Sequence, residues 1–350
     1  MFLCGHKSPY GLAHLEPLVK SRLNIRAIVL ATDNRWSIFR EVLGGKSYYP
    51  HKNSATILLK KIKDRLKRII PDFILYRIKR DGWQKINVER IGKKYKIPVW
   101  HIDDVNRKEF IEKVRENKVD LIVSAAYPQV LSGTLIAVPT MGAVNFHPSL
   151  LPKFRGAHPH YWAIVKGETE SGLSAHFMTE NIDDGDIIAQ IRFPIKDYDY
   201  KQLYEKIIRE TSRLVCKIEE FFQHNTGSII KQDPQKATYF RNDREIHHRI
   251  FWNKYTVREI FNLIRGGNAF SFYRNQKIII EKCFITQTNR NLTNSIEVEN
   301  GIIVDIDKDY IAVKTKSGII NIQELIYRNR RLHVSKFARK YRPLVGERFD

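Results

Sequence analysis

Cysteine is scarce. Cys4, Cys216 and Cys283 are the only three in 350 residues, lie far apart and form no C-x-x-C pair. Such a set excludes a disulfide framework and a zinc ribbon and leaves buried free thiols as the expected state. Long apolar runs are missing too: "DLIVSAAYPQVLSG" and "NGIIVDI" are both short and broken by polar residues, Pro or Gly, so no transmembrane helix is expected. The N-terminus "MFLCGHKSPYG" has no basic stretch before an apolar core and no small-residue cleavage site. It does not read as a signal peptide, and a cytoplasmic location is the expectation. Internal repeats and low-complexity tracts are absent as well, and the length suits two globular domains, each able to bury a core.

Acidic residues are outnumbered. With 60 Lys and Arg against 38 Asp and Glu, the formal net charge is +22, concentrated in "LLKKIKDRLKRIIPDFILYRIKR" and a tail "YRNRRLHVSKFARKYR". Runs of this kind suit tRNA, a nucleotide or an anionic membrane face, and equally a solvated basic surface; charge alone selects none of them. The first run predicts an amphipathic helix over residues 54–80, with Leu58, Leu59, Ile62, Leu66, Ile69 and Ile70 on one face.

Periodicity divides the chain. Strand and helix patterns alternate from Met1 onward: a strand at Met1, a turn "GHKSPYG", a helix with Leu12, Leu15, Leu18 and Val19 at helical spacing, then strands at "NIRAIVLATD", "PVWHI", "DLIVSAAY" and "MGAVNFH". This predicts a Rossmann-like, doubly wound α/β sheet, whose ligands lie outside the carboxyl ends of the strands. A helix over "HPHYWAIVKGE", with Tyr161 and Trp162 as core residues, strands at "GLSAHFM" and "IIAQIRFPI" and a long helix "YKQLYEKIIRETSRLVCKIEEFFQH" complete a first domain over residues 1–225. The segment 226–249, with "KQDPQKATYF", reads as a linker. After a helix at "TVREIFNLIRGG", alternating stretches such as "KIIIEKCFIT" and "DYIAVKTKSGIINIQEL", with turn pairs between them, predict a smaller antiparallel β-barrel, OB-like, over residues 250–350.

One stretch carries candidate chemistry. In "NFHPSLLPKFRG", Asn145 and His147 alternate with Phe146, so on a strand they share a face, and at a carboxyl end that face opens on the ligand crevice. An imidazole there suits a general base and an amide N–H an oxyanion donor, the pair that acyl transfer needs. Alone, an Asn-x-His at a strand end serves equally as ordinary strand-end hydrogen bonding. Downstream, "NIDDGDIIAQ" offers Asp183 in a turn able to return to the crevice and orient the imidazole, although "DDG" is also a common turn signal. His147, His158, His160 and His176 match no common metal-ligand spacing, so no metal is expected. "GHKSPYG" lacks the spacing of a phosphate loop and reads as a plain turn.

The run "NFHPSLLPKFRGAHPHYWAIVKGETESGLSAHFMTENIDDGDIIAQ" resembles the folate-dependent formyltransferases, in which Asn-x-His, Ser-Leu-Leu-Pro, Arg-Gly and Asp-x-Gly follow in that order; weaker similarity extends over residues 1–223. The resemblance implies transfer of a formyl group from 10-formyltetrahydrofolate to a primary amine, with Asn145, His147 and Asp183 as the catalytic trio. It implies further that backbone groups of Gln129, Val130 and Leu131, those of Ser149, Leu150, Leu151 and Pro152, and the turn Thr179, Glu180, Asn181, Ile182 hold the donor. The side chains of that cradle need only be apolar. Within the family, "HPSLLPKFRG" and "SAHFMTENIDDGDIIAQ" look closest to enzymes acting on nucleotide-linked amino sugars. "ATDNRWSIFREVLGGKSYYP" does not look like the Gly- and basic-rich insertion usual in methionyl-tRNA formyltransferases, which leaves tRNA as the alternative acceptor. The C-terminal domain is open to RNA binding, to support of the fold, or to a homodimer interface.

Overall fold

The computed structural model describes residues 1–5, 8–31, 88–224, 227–241, 248–285 and 298–350. The amphipathic helix expected over 54–80 and residues 32–50, compared above with the tRNA-type insertion, lie outside them. By their contacts the described residues form two compact units: Met1–His147, Leu173–Ile191 and Ile208–Ala237 in the first, Pro148–Gly172, Arg192–Ile207 and Thr238–Asp350 in the second.

The first unit opens with strand β1 (Phe2–Cys4) and helix α1 (Pro9–Lys20). Ser8 starts the helix by accepting from Gly11 N at 3.1 Å. Leu12, Leu15 and Leu18 are buried, as their spacing predicts. There follow β2 (Ile28–Ala31), α2 (Val88–Tyr95), β3 (Val99–Ile102), α3 (Lys108–Glu116), β4 (Ile122–Ala125), the short α4 (Gly133–Ile136) and β5 (Ala143–His147). Next along the chain come β6 (Arg155–Gly156) and α5 (Pro159–Val165), both in the second unit, then β7 (Glu170–Phe177), β8 (Ile187–Pro194) and the long α6 (Tyr200–His224).

The sheet order is β3-β2-β1-β4-β5-β7-β8. The pairs from β3 to β5 are parallel and β7 is antiparallel to β5. Every residue of β1, β2 and β4 is buried, the continuous apolar pattern of strands covered on both faces. Winding reverses between β1 and β4, so the switch point, where such sheets bind ligands, falls at the carboxyl ends of these two strands, with β5 adjacent. This is the doubly wound sheet expected, extended by an antiparallel strand.

In the second unit, β9 (Tyr239–Phe240) pairs with β6, and α7 (Val257–Arg265) opens on a reciprocal Thr256–Glu259 capping box. Strands β10 (Phe270–Tyr273), β11 (Gln276–Ile285), β12 (Ile303–Ile306), β13 (Ile311–Thr315), β14 (Gly318–Tyr327) and β15 (Arg330–His333) make an antiparallel sheet in the order β10-β11-β14-β13-β12, with β15 on β14. This is a half-barrel, in keeping with the expected small β domain.

Three readings change. The basic "tail" is β15 followed by α8 (Val334–Tyr341), and Val334 and Phe337 are fully buried; its cations are the outer face of a packed element, with Phe337 edge-on to Tyr273 and Tyr327. The stretch read as a linker is paired: Ile230 bridges Ile187, and Tyr239 and Phe240 form β9, where Phe240 stacks between Phe154 and Trp162. Of the three free cysteines only Cys4 is buried, its thiol pushed up to about 12 by burial, while Cys216 is exposed and Cys283 partly buried. Tyr161 and Trp162 are buried. Among the described residues no helix is long and apolar enough to cross a membrane.

Candidate active site

Strand alternation puts Phe146 on one face of β5, buried against the ring of His14 at 4.7 Å, and Asn145 and His147 on the other. Across the antiparallel pairing with β7, Asn145 stands opposite His176 and His147 opposite Ser174. The turn between β7 and β8 brings Asp183 to the same place. Its Oδ2 lies 3.4 Å from His147 Nδ1, and its Oδ1 lies 3.2 Å from Asn145 Nδ2 and 3.3 Å from His176 Nε2. The three residues expected at the site are therefore together, and the carboxylate and His147 side chains are only 11% and 5% exposed.

His176, which matches no metal-ligand spacing in the sequence, is a fourth member of the cluster. Its Nδ1 is 2.8 Å from Phe177 O; a carbonyl only accepts, so Nδ1 carries a proton and Nε2 is free to accept from Asn145 Nδ2 at 3.3 Å. The signal was present: "GLSAHFM" is a strand pattern in which His176 pairs with a candidate residue once β7 is laid against β5.

The turn is braced from several sides. Asp184 accepts from Asn181 Nδ2 at 2.8 Å and from Thr179 Oγ1, and Gln232 donates to the carbonyls of Asp183 at 2.9 Å and Gly185 at 2.7 Å. Asp183 itself is left-handed, with φ +54°. Gly185 explains the Asp-x-Gly spacing: a Cβ there would collide with the Phe177 carbonyl. Gly185→Ala is expected to cost about 1–3 kcal/mol by forcing these two backbones apart. A urea midpoint equal to that of the parent would refute this account of the glycine.

The loop after β4 holds Gln129, Val130 and Leu131 through two reciprocal amide pairs. Gln129 accepts from Val105 N at 3.0 Å and donates to Asp103 O, while Asn106 donates to Val130 O at 2.9 Å and accepts from Ser132 N at 2.8 Å. Side chains here, like those of Thr179 and Asn181, are thus polar braces rather than merely apolar lining. Glu180 lies against Gly133, where a Cβ would strike its carboxylate, so the Thr179–Ile182 turn adjoins this loop. Asn106 and Gln232 had no local sequence signal, since their partners lie far along the chain. Ser149, Leu150, Leu151 and Pro152 belong to the second unit: Ser149 is buried and donates to Lys153 O at 2.8 Å, the Leu151–Pro152 peptide is cis, and Pro152 O accepts from Thr238 N at 3.2 Å. In that unit His160 pairs with Tyr200 Oη at 2.9 Å, and among the described residues no group of His, Cys, Asp or Glu is arranged to hold a metal.

A polar cluster at the carboxyl end of a parallel strand, next to the switch point, on a doubly wound domain joined to a β half-barrel, describes an α/β protein with the layout of a group-transfer enzyme. Comparison with known proteins narrows this. A family model described as formyl transferase matches residues 77–217, and one described as formyl transferase, C-terminal domain, matches residues 245–342. Methionyl-tRNA formyltransferase of Staphylococcus aureus is 31% identical over 269 residues, covering 75% of this chain and 84% of that protein. Among solved structures, the N-formyltransferase of Helicobacter canadensis in complex with folinic acid and dTDP-3-aminofucose superposes with a TM-score of 0.55 at 19% identity, covering 92% of this chain and 97% of that one. WlaRD, a sugar 3N-formyl transferase solved in the presence of dTDP and 5-N-formyl-THF, gives a TM-score of 0.56 at 18% identity, covering 94% and 98%. The chain belongs to the folate-dependent formyltransferase family.

Proposed function

We propose that the protein transfers the formyl group of 10-formyltetrahydrofolate to the primary amine of a nucleotide-linked amino sugar, with Asn145, His147 and Asp183 as the reacting residues. The observation that carries the formyl-transfer reading is the contact of one largely buried carboxylate with both Asn145 and His147. The chemistry of the surrounding segments fits the donor. A pterin edge presents donors and acceptors together, and the Gln129–Leu131 loop and the Thr179–Ile182 turn are backbone-rich, adjoining and held rigid by side-chain amides. The donor, when bound, supplies a carbonyl carbon open to attack by an amine.

Each residue then has one task. Asn145 Nδ2 donates to the oxygen that becomes anionic as the amine nitrogen adds to the formyl carbon; its present bonds to Asp183 and His176 are long, 3.2 and 3.3 Å, so one hydrogen can be redirected. His147, held through Nδ1 by Asp183, takes the proton leaving the amine at Nε2 and delivers it to the nitrogen released as the old C–N bond breaks. Asp183 stabilises the imidazolium in between. One C–N bond forms, one breaks and one proton moves, with no change in oxidation state.

For the acceptor, sugar nucleotides are supported by the two solved relatives, whose match spans both domains and which were solved with dTDP or a dTDP-sugar. Initiator tRNA is the second reading, favoured by the Staphylococcus aureus relative and the net charge of +22. The test is tetrahydrofolate release from 10-formyltetrahydrofolate with dTDP-linked 3-amino and 4-amino 6-deoxyhexoses and with methionyl initiator tRNA. Turnover on an amino sugar that changes little between about 50 and 200 mM salt is expected, whereas tRNA binding would weaken by orders of magnitude over that range. Turnover with tRNA alone would replace the sugar reading, and turnover with none of these amines would end the proposal.

A further inference from the structure

We infer that Gln232 is a positioning residue that sets the aim of the Asp183 carboxylate. The inference rests on the formyl-transfer reading insofar as Asp183 orients His147. Gln232 is sited by an anchored stretch of chain: two residues earlier, Ile230 exchanges both backbone hydrogen bonds with Ile187, each 2.8 Å, just beyond the Asp183 turn. From there its single amide nitrogen donates both hydrogens, one to Asp183 O at 2.9 Å and one to Gly185 O at 2.7 Å.

The clamp matters because of what it holds. Asp183 is a non-glycine residue at φ +54°, a conformation that persists only where its surroundings impose it. The brace formed by Thr179, Asn181 and Asp184 acts on flanking residues, and the contact of Gly185 with Phe177 acts on the far end of the turn; Gln232 grips the carbonyl of Asp183 itself. Without the amide, two partly buried carbonyls lose a donor and the peptide after Asp183 is free to rotate toward another one. The carboxylate contacts it would carry along, 3.4 Å to His147 and 3.2 Å to Asn145, already stand near the outer limit of hydrogen bonding, so a small displacement breaks them.

The test uses the full chain with Gln232→Leu, which removes the donors, and Gln232→Glu, which keeps the shape but turns acceptors toward the two carbonyls. In both, kcat for formyl transfer is expected to fall by about tenfold to a hundredfold, with KM for donor and amine within about twofold of the parent. Lowering the pH should recover part of the loss in Gln232→Glu alone, because a protonated carboxyl regains one donor. Independently of turnover, the His147 ring resonances of the free protein should titrate at lower pH in Gln232→Leu, since the Asp183 charge has moved away; Gln232→Glu brings a charge of its own and is read by kcat alone. Should Gln232→Leu fail to fold, Gln232→Met, neutral and of similar length but without the donors, gives the same two readouts. Unchanged kcat together with an unmoved His147 titration overturns the inference. If the parent itself forms no product with any amine, the formyl-transfer reading fails, and the His147 titration still decides the role of Gln232.

Discussion

Replacing His147 with Asn is expected to lower kcat for formyl transfer by about 10³-fold, within the range found for loss of a general acid–base group. The choice of Asn isolates the role. Its amide nitrogen overlays the Nδ1 position, so the contact with Asp183, 3.4 Å in the parent, has a donor to keep it, while the Nε2 atom that carries the proton is gone. His147 is buried at the end of β5, but its strand neighbours Phe146 and Val144 are untouched, so the core should hold. KM for the formyl donor should stay within about twofold, because a residue acting only in proton transfer contributes little to ground-state binding. The measurement is steady-state tetrahydrofolate release at saturating amine. A variant retaining more than about a tenth of parental kcat would remove His147 from the proton-transfer role.

The second large effect is on stability in acid and arises on the other face of the same strand. His14 is completely buried between Tyr10 and Phe146; its Nδ1 lies 2.8 Å from Tyr10 O, and its Nε2 has no hydrogen-bond partner among the described residues. Burial lowers its pKa from the usual 6.5 to about 4, the Tyr10 carbonyl opposing only in part. The unfolded chain therefore binds a proton at a pH where the folded one does not. The contribution of His14 is complete above pH 6.5, declines as the pH falls from there to about 4, and changes no further below. At 1.36 kcal/mol per unit, the loss is about 3 kcal/mol, a large part of the stability of an ordinary domain. Urea unfolding at several pH values between 4 and 7, compared with His14→Phe, checks this: the parent should lose that much more stability than the variant on acidification. Parallel profiles for the two proteins would show that His14 is not the responsible group.

Much of the architecture is legible residue by residue. The apolar runs of β1, β2 and β4, the Ser8–Pro9 start of α1, and the change from helical to alternating spacing after Val257 each encode their element locally, and each element forms where its pattern lies. In two segments composition and structure diverge for one cause. "YRNRRLHVSKFARKYR" was a basic tail because cations dominate its composition, yet Val334 and Phe337, spaced one helical turn apart, are what dock it. "KQDPQKATYF" reads as a linker by composition, since Gln, Lys and Pro dominate it; no composition reveals its backbone bonds to Arg155 and Ala157. In each case a few residues with distant partners outweighed the average character of the segment.

By itself, the sequence determined the alternation of strands and helices, the shared face of Asn145 and His147, and the presence of an Asp-x-Gly turn, because all three follow from local periodicity and turn chemistry. Only the tertiary structure decided that Asp183 reaches that face, that His176 stands opposite Asn145, and that Asn106 and Gln232 brace the loop and the turn beside it. Those contacts join residues 24 to 49 positions apart, and the register of β7 on β5, together with backbone groups that must find donors once buried, brings them together.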